Sequence, residues 1–288
     1  MNYFVKPDSI VRQIWGKADT ILFIFAGASA EFALNKAVDW LYFTGKLPAD
    51  PLGRLFSTVE YARQIVFAEQ QQALEAIDKI AAIHGVVEQK RGAQIPDWAY
   101  RDVLFMLIDY SIRAYEVLER KLTQEEKEET FDVFYRVGVR MGIQGLPRTF
   151  EEWQKMRDEH LRDNLVASEF THDLYRQYRK HLGTVRFFIL KQAQTLVVPQ
   201  RVNRLLELGK IPLLAPVIVT YKLFRYLKVE HLLKDTILPT AYKPQIAALD
   251  FRSDDSQTES QIQVVLSLTI VVLLGQTTVR PNSNLGSS

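Results

Sequence analysis

The chain has no cysteine, and that absence excludes disulfides, iron–sulfur clusters, thiolate-ligated heme and heme attached through thioether bonds. A heme could be held only noncovalently, with one of the five histidines as its natural axial donor. Charge of one sign is also lacking: 36 basic and 34 acidic residues interleave to a net +2, so the basic footprint of a nucleic-acid binder is missing. Nucleotide chemistry has no anchor, because neither the dinucleotide glycine fingerprint nor a P-loop occurs, and a Gly-x-Ser-x-Gly elbow and a His-Glu-x-x-His zinc motif are equally absent. A di-iron carboxylate bundle needs two Glu-x-x-His pairs, and only Glu169 with His172 has that spacing. Long hydrophobic runs are missing as well. The run from Ile21 to Ala30 is interrupted by Glu31, and the run from Ile262 to Leu274 is too short to span a bilayer. The N-terminal stretch MNYFVKPDSIVRQIWGK has no apolar core behind a basic start, so no secretory signal is expected and the location is read as cytoplasmic.

What is present is helical periodicity. Strand-like alternation bounded by hairpin dipeptides is absent from the second half, and 47% apolar against 24% charged residues is a globular balance. The expected fold is all-α, one large multi-helix domain over residues 1–249. A polar linker, FRSDDSQTESQ, and an apolar tail then make up residues 250–288, expected to be poorly ordered. No role is assigned to Ile262–Leu274. The broadest apolar face begins after Pro96, with Asp97 as N-cap and Trp98, Val103, Leu104, Leu107, Ile108, Ile112, Tyr115 and Leu118 along it. Thr123 with Glu126 and Thr149 with Glu152 read as capping boxes. Further helices are expected near 170–181, 185–195, 199–208, 212–227 and 229–235. The segment IPLLAPVIVTYKLFRYL is read as a packed helix, with peripheral contact to a membrane surface as the alternative.

The stretch from Asp50 to Gly92 holds the one constellation that calls for chemistry. Asp50 and Pro51 open a helix, and Arg54 and Thr58, four residues apart, share a face of it. A second helix from about Gln70 to Glu88 carries His84 among Ala81, Ala82 and Gly85, small neighbours that let a flat group approach the backbone. A cation, a hydroxyl and an imidazole are thus expected to meet between two antiparallel helices. The plain alternative is a hydrogen-bonded core histidine and an ion-pairing arginine.

DPLGRLFSTVEY, IHGVVEQKRG, IPDWAYRDVLFMLIDYSIRAYEVL and GLPRTFEEW, in that order, resemble the catalytic-domain family of MpaB-type oxygenases and rubber oxygenases over roughly Trp15 to Leu249. The resemblance implies an all-helical domain that binds heme b, with His84 as the iron ligand and Arg54 and Thr58 lining the cofactor pocket. It further implies an oxygenase acting with dioxygen on a small apolar substrate, unsaturated or isoprenoid in class; a helical heme-binding or interaction protein without turnover is the alternative. The spacing from Thr58 to His84 is shorter than in rubber oxygenases. Many relatives carry a His-Pro pair where this chain has Glu31, Asn35 and Asp39. The glutamate that serves as a base in rubber oxygenases has no assigned counterpart here, and Glu31 and Asp39 are read as a solvated helix face.

Overall fold

The computed structural model describes residues 2–43, 45, 51–209, 211–216 and 218, with backbone alone for Leu41 and residues 51–57. Ten helices occur among them: α1 Ile10–Trp15, α2 Ala18–Phe32, α3 Val38–Phe43, α4 Pro51–Phe67, α5 Gln70–Arg91, α6 Asp97–Leu118, α7 Gln124–Arg140, α8 Phe150–Asp163, α9 Glu169–Val197 and α10 Gln200–Leu206. No strand is present among the described residues, where extended pairing is confined to two isolated bridges, Tyr3 with Glu69 and Asn35 with Leu165. The all-α expectation holds. None of the described helices is long and apolar enough to cross a membrane.

The centre of the fold is α6. Its expected stripe is buried at Leu104, Ile108, Ile112, Tyr115 and Leu118, with Phe105 and Tyr110 beside it, while Trp98 and Leu107 are half-buried and Val103 is exposed on the outer side; α2, α7 and α8 pack around the helix. The approach of α2 is set by Gly27: a Cβ placed there would lie 2.2 Å from Cδ1 of Tyr110. Beside Tyr110, Trp15 Nε1 of α1 donates to Ser111 Oγ at 3.1 Å, which satisfies the one polar atom of a fully buried indole.

Helices α4 and α5 form a hairpin whose turn is tied to the N-terminus by Gln70 N–H to Asn2 O at 2.8 Å. On α5 the buried positions are Ala73, Ala76 and Ile77, while beyond Ile80 every side chain is half-buried or exposed. The last turns of this helix therefore stand off the core. They close on Gly92, whose left-handed backbone (φ 68°) suits glycine and lets its N–H cap Glu88 O and Gln89 O.

Local signals fared unevenly. Thr123 and Glu126 form the expected reciprocal box. Thr149 caps Glu152 N as expected, but the Glu152 carboxylate accepts from Arg148 N rather than closing the box. Asp97 is the first helical residue, because the extended Pro96 takes the N-cap position, and α2 starts at Ala18 after an extended Lys17. The two helices expected near 170–181 and 185–195 are the arms of α9, broken at Gly183 (φ 72°, ψ 172°). The Asp50 cap, the helix near 229–235, most of the one at 212–227 and the segment 250–288 lie outside the described residues.

Gly27→Ala is expected to destabilise the protein by about 1–3 kcal/mol in urea unfolding, because the methyl group must displace the buried Tyr110 ring. An unchanged midpoint would show that the α2–α6 contact is looser than its geometry.

Candidate functional site

His84 lies half-buried on the outstanding part of α5. It opens on a cavity of about 390 Å³ whose described lining comes from α5, the start of α6 and the loop after α7, including Gly85, Glu88, Ile95, Tyr100 and Ile143. The Tyr100 ring meets the imidazole edge-on, with centroids 5.3 Å apart. Its hydroxyl donates to Glu88 Oε1 at 3.1 Å, and Ile95 N–H donates to the same oxygen at 2.9 Å. Burial and the Glu88 charge together push the Tyr100 phenol above its ordinary value. At Gly85, one residue from His84, no atom beyond its chain neighbours and the adjoining helix backbone lies within 4 Å of where a Cβ would stand. The site thus offers an imidazole donor and an open strip of helix backbone at the volume of a small-molecule pocket, in a lining that sets Ile95, Pro96, Met141 and Ile143 beside the polar Glu88, Gln94, Asp97 and Tyr100. These features fit a flat cofactor with an axial nitrogen ligand. Thr58 is exposed on α4, and the Arg54 side chain lies outside the described residues. The pairing of α4 with α5 is as expected.

A second cluster, which the sequence reading did not assemble, lies inside the fold between α2, α6 and α8. Glu31 is fully buried, which overturns its reading as part of a solvated face. Its carboxylate accepts from Arg157 through both terminal nitrogens (Nη2 to Oε2, 2.6 Å), from Tyr110 OH at 2.7 Å, and pairs with His160 Nε2 at 3.0 Å. Arg157 also donates Nε and Nη2 to Asp109 Oδ2 at 3.1 and 2.9 Å, and Arg113 donates to Oδ1 of the same carboxylate at 2.7 Å. His160 Nδ1 is bonded to Asp102, whose carboxylate also accepts from Asn164 at 2.9 Å and from Asn35 at 3.0 Å. Asp39, by contrast, is partly solvated and pairs with Arg91 at 2.6 Å.

The residue types follow from burial. Arg157, His160 and Asn164 recur at helical spacing on the inner side of α8 and its C-cap, and Glu31 continues the buried positions Ile24 and Gly27 of α2. A carboxylate there survives only if its charge is matched. Burial alone would raise the Glu31 pKa, but the Arg157 charge and the hydrogen bonds from Arg157 and His160 outweigh it and hold the carboxyl at about 2. Burial would lower His160, but Asp102 and Glu31 outweigh that and raise it above 6.5. Three carboxylates thus face Arg157, Arg113 and an imidazolium, and the cluster is balanced while His160 is protonated. Every oxygen of Glu31 is occupied, so the group is a fastener between helices rather than a base for a substrate proton.

Two outcomes follow for stability. The Glu31 contribution is present above its ordinary pKa of 4.5 and lost as pH falls toward about 2; the His160 contribution is complete below 6.5 and lost as pH rises through its raised value. Stability in urea should therefore plateau between about pH 4.5 and 6.5 and decline on both sides. In His160→Asn the alkaline decline should disappear. Glu31→Ala should cost about 3–5 kcal/mol, since it strips one carboxylate from a buried guanidinium; a loss below 1 kcal/mol would contradict the reading.

Comparison with known proteins gives one match and one blank. No curated protein matches the chain. Residues 14–226 match the family described as ER-bound oxygenase mpaB/B'/Rubber oxygenase, catalytic domain. That span holds every helix described above except part of α1, together with the His84 cavity and the buried cluster. With most of its length inside the match, the chain belongs to this family of oxygenase catalytic domains.

Proposed function

We propose that the protein is a heme-b-dependent oxygenase in which His84 would hold the iron, with Arg54 and Thr58 beside the cofactor. The substrate class we assign is a small apolar molecule, unsaturated or isoprenoid, used together with dioxygen. The observation that carries this reading is the position of His84: within an oxygenase family match, this imidazole opens on a cavity of about 390 Å³ with bare helix backbone at Gly85.

Bound heme would supply a redox-active iron for reaction with dioxygen. The chain's own residues do the rest. His84 presents an imidazole whose ring plane is limited by the edge of Tyr100, and Tyr100 is in turn held by Glu88, so the donor is oriented before anything binds. Ile95, Pro96, Met141 and Ile143 give the cavity an apolar part against which a hydrocarbon could rest, beside the polar Glu88, Gln94 and Asp97. Arg54, four residues ahead of Thr58, has the planar fork of donors that matches a heme propionate.

Heme titration of the purified protein, followed by absorption, tests the ligand. Wild-type protein and the exposed-site controls His172→Ala and His181→Ala should develop the same Soret band. His84→Ala should lose it or bind heme at least tenfold more weakly, with its helical circular dichroism retained. Gly85→Val should also weaken binding, because the added side chain fills the strip the ring would lie on. A full Soret band in His84→Ala would show that another residue holds the iron. Oxygen uptake on adding an unsaturated substrate to the heme-loaded protein then separates catalysis from cofactor binding alone.

A further inference from the structure

The surface at the break in α9 has a composition unlike the rest of the protein. From Leu174 to Leu206 the chain contains no Asp or Glu, yet it carries Arg176, Arg179, Lys180, Arg186, Lys191, Arg201 and Arg204. At the corner made by Gly183, Arg179, Lys180 and Arg186 are exposed, and none of the three is in an ion pair among the described residues. Two large apolar side chains project from the same corner: Val185 is 72% exposed and Phe188 49%. They lie three residues apart on the outer side of the second arm of α9.

The inner side of that arm explains why the corner is rigid. Phe187 meets Tyr175 edge-on, with ring centroids 6.2 Å apart, and Phe187 and Leu190 pack on the small cluster of Ala33, Leu174 and Tyr178. Packing therefore fixes which way Val185 and Phe188 point. One turn beyond Phe188, Gln192 accepts from Leu213 N–H at 2.7 Å, which brings in two more outward apolar residues, Ile211 (74% exposed) and Leu213 (57%).

We propose that this corner docks the protein on an anionic lipid surface, with Val185, Phe188, Ile211 and Leu213 entering the interface and Arg179, Lys180 and Arg186 resting among acidic headgroups. Charge complementarity selects this partner. Arg179, Lys180 and Arg186, exposed at one corner and in no ion pair among the described residues, are matched by a surface of uniform negative sign, whereas a protein interface commonly mixes both signs. Shape agrees with charge: a bend carrying a few projecting apolar side chains suits shallow insertion, while a stable protein partner needs a face of about 800 Å² on each side. The inference stands apart from the His84 site, since it uses neither that histidine nor any bound cofactor.

Co-sedimentation of the full chain with vesicles tests it. The protein is expected to pellet with vesicles of equal parts phosphatidylcholine and phosphatidylserine, to stay in solution with phosphatidylcholine alone, and to be released by high salt. Val185→Asp combined with Phe188→Asp should reduce binding at least tenfold, and each of Arg179→Gln, Lys180→Gln and Arg186→Gln about fivefold. All these positions are exposed, so melting curves should match wild type; a variant that melts early is replaced by Val185→Ser with Phe188→Ser. The proposal is overturned if wild-type protein ignores anionic vesicles, or if the double variant binds as tightly as wild type, which would leave the binding to another segment such as Ile262–Leu274. It is equally overturned if the substitutions instead dissolve a dimer of the chain.

Discussion

The fold depends on one buried carboxylate. Glu31 accepts from Arg157 and Tyr110 and pairs with His160, and in doing so it pins α2 to α6 and α8 where Gly27 has already let the first two helices touch. A charge buried this far is tolerated only with its partners present. Its partners need partners in turn, which is why Asp109, Asp102, Arg113 and Asn164 extend the cluster until it reaches the surface. Hydrophobic burial along α6 supplies the drive to fold, while the ionic cluster sets which faces of the helices may meet.

The His84 cavity is built on the opposite principle. Its helix, α5, is buried only in its first half, and the half that carries His84 leaves backbone open at Gly85 and side chains half-exposed. Positions of that kind contribute little to the core and can be given over to a ligand. The two regions share α6: Asp97 and Tyr100 line the His84 cavity, whereas Asp102, Asp109 and Tyr110 serve the ionic cluster. A rigid α6 would hold the wall of the first in place through the hydrogen bonds of the second.

Signals that act locally or by simple period were legible in the sequence. The apolar stripe of α6, the Thr123–Glu126 box and the separation of the two arms of α9 each depend on residues within a few positions of one another. The ionic cluster does not, since Glu31 and Arg157 are brought together only by tertiary packing. Yet a signal existed: Glu31 falls in register with Ile24 and Gly27 on the buried side of α2, and a carboxylate in such a stripe requires a cation on a facing helix. Arg157 and His160, one turn apart on a helix otherwise rich in acidic and basic residues, were hidden by the charge around them. For the cavity, spacing identified the helix hairpin that carries His84 but not the contribution of Tyr100, Glu88 and the loop after α7.

The central claim is that structure and cofactor chemistry are divided between these two clusters, and paired heme titration and urea unfolding of Glu31→Gln and His84→Ala tests it most directly. The account predicts crossed losses. Glu31→Gln should unfold at lower urea yet, where folded, bind heme as tightly as wild type, while His84→Ala should keep its unfolding midpoint and lose heme. Heme binding abolished in folded Glu31→Gln and preserved in His84→Ala would contradict it.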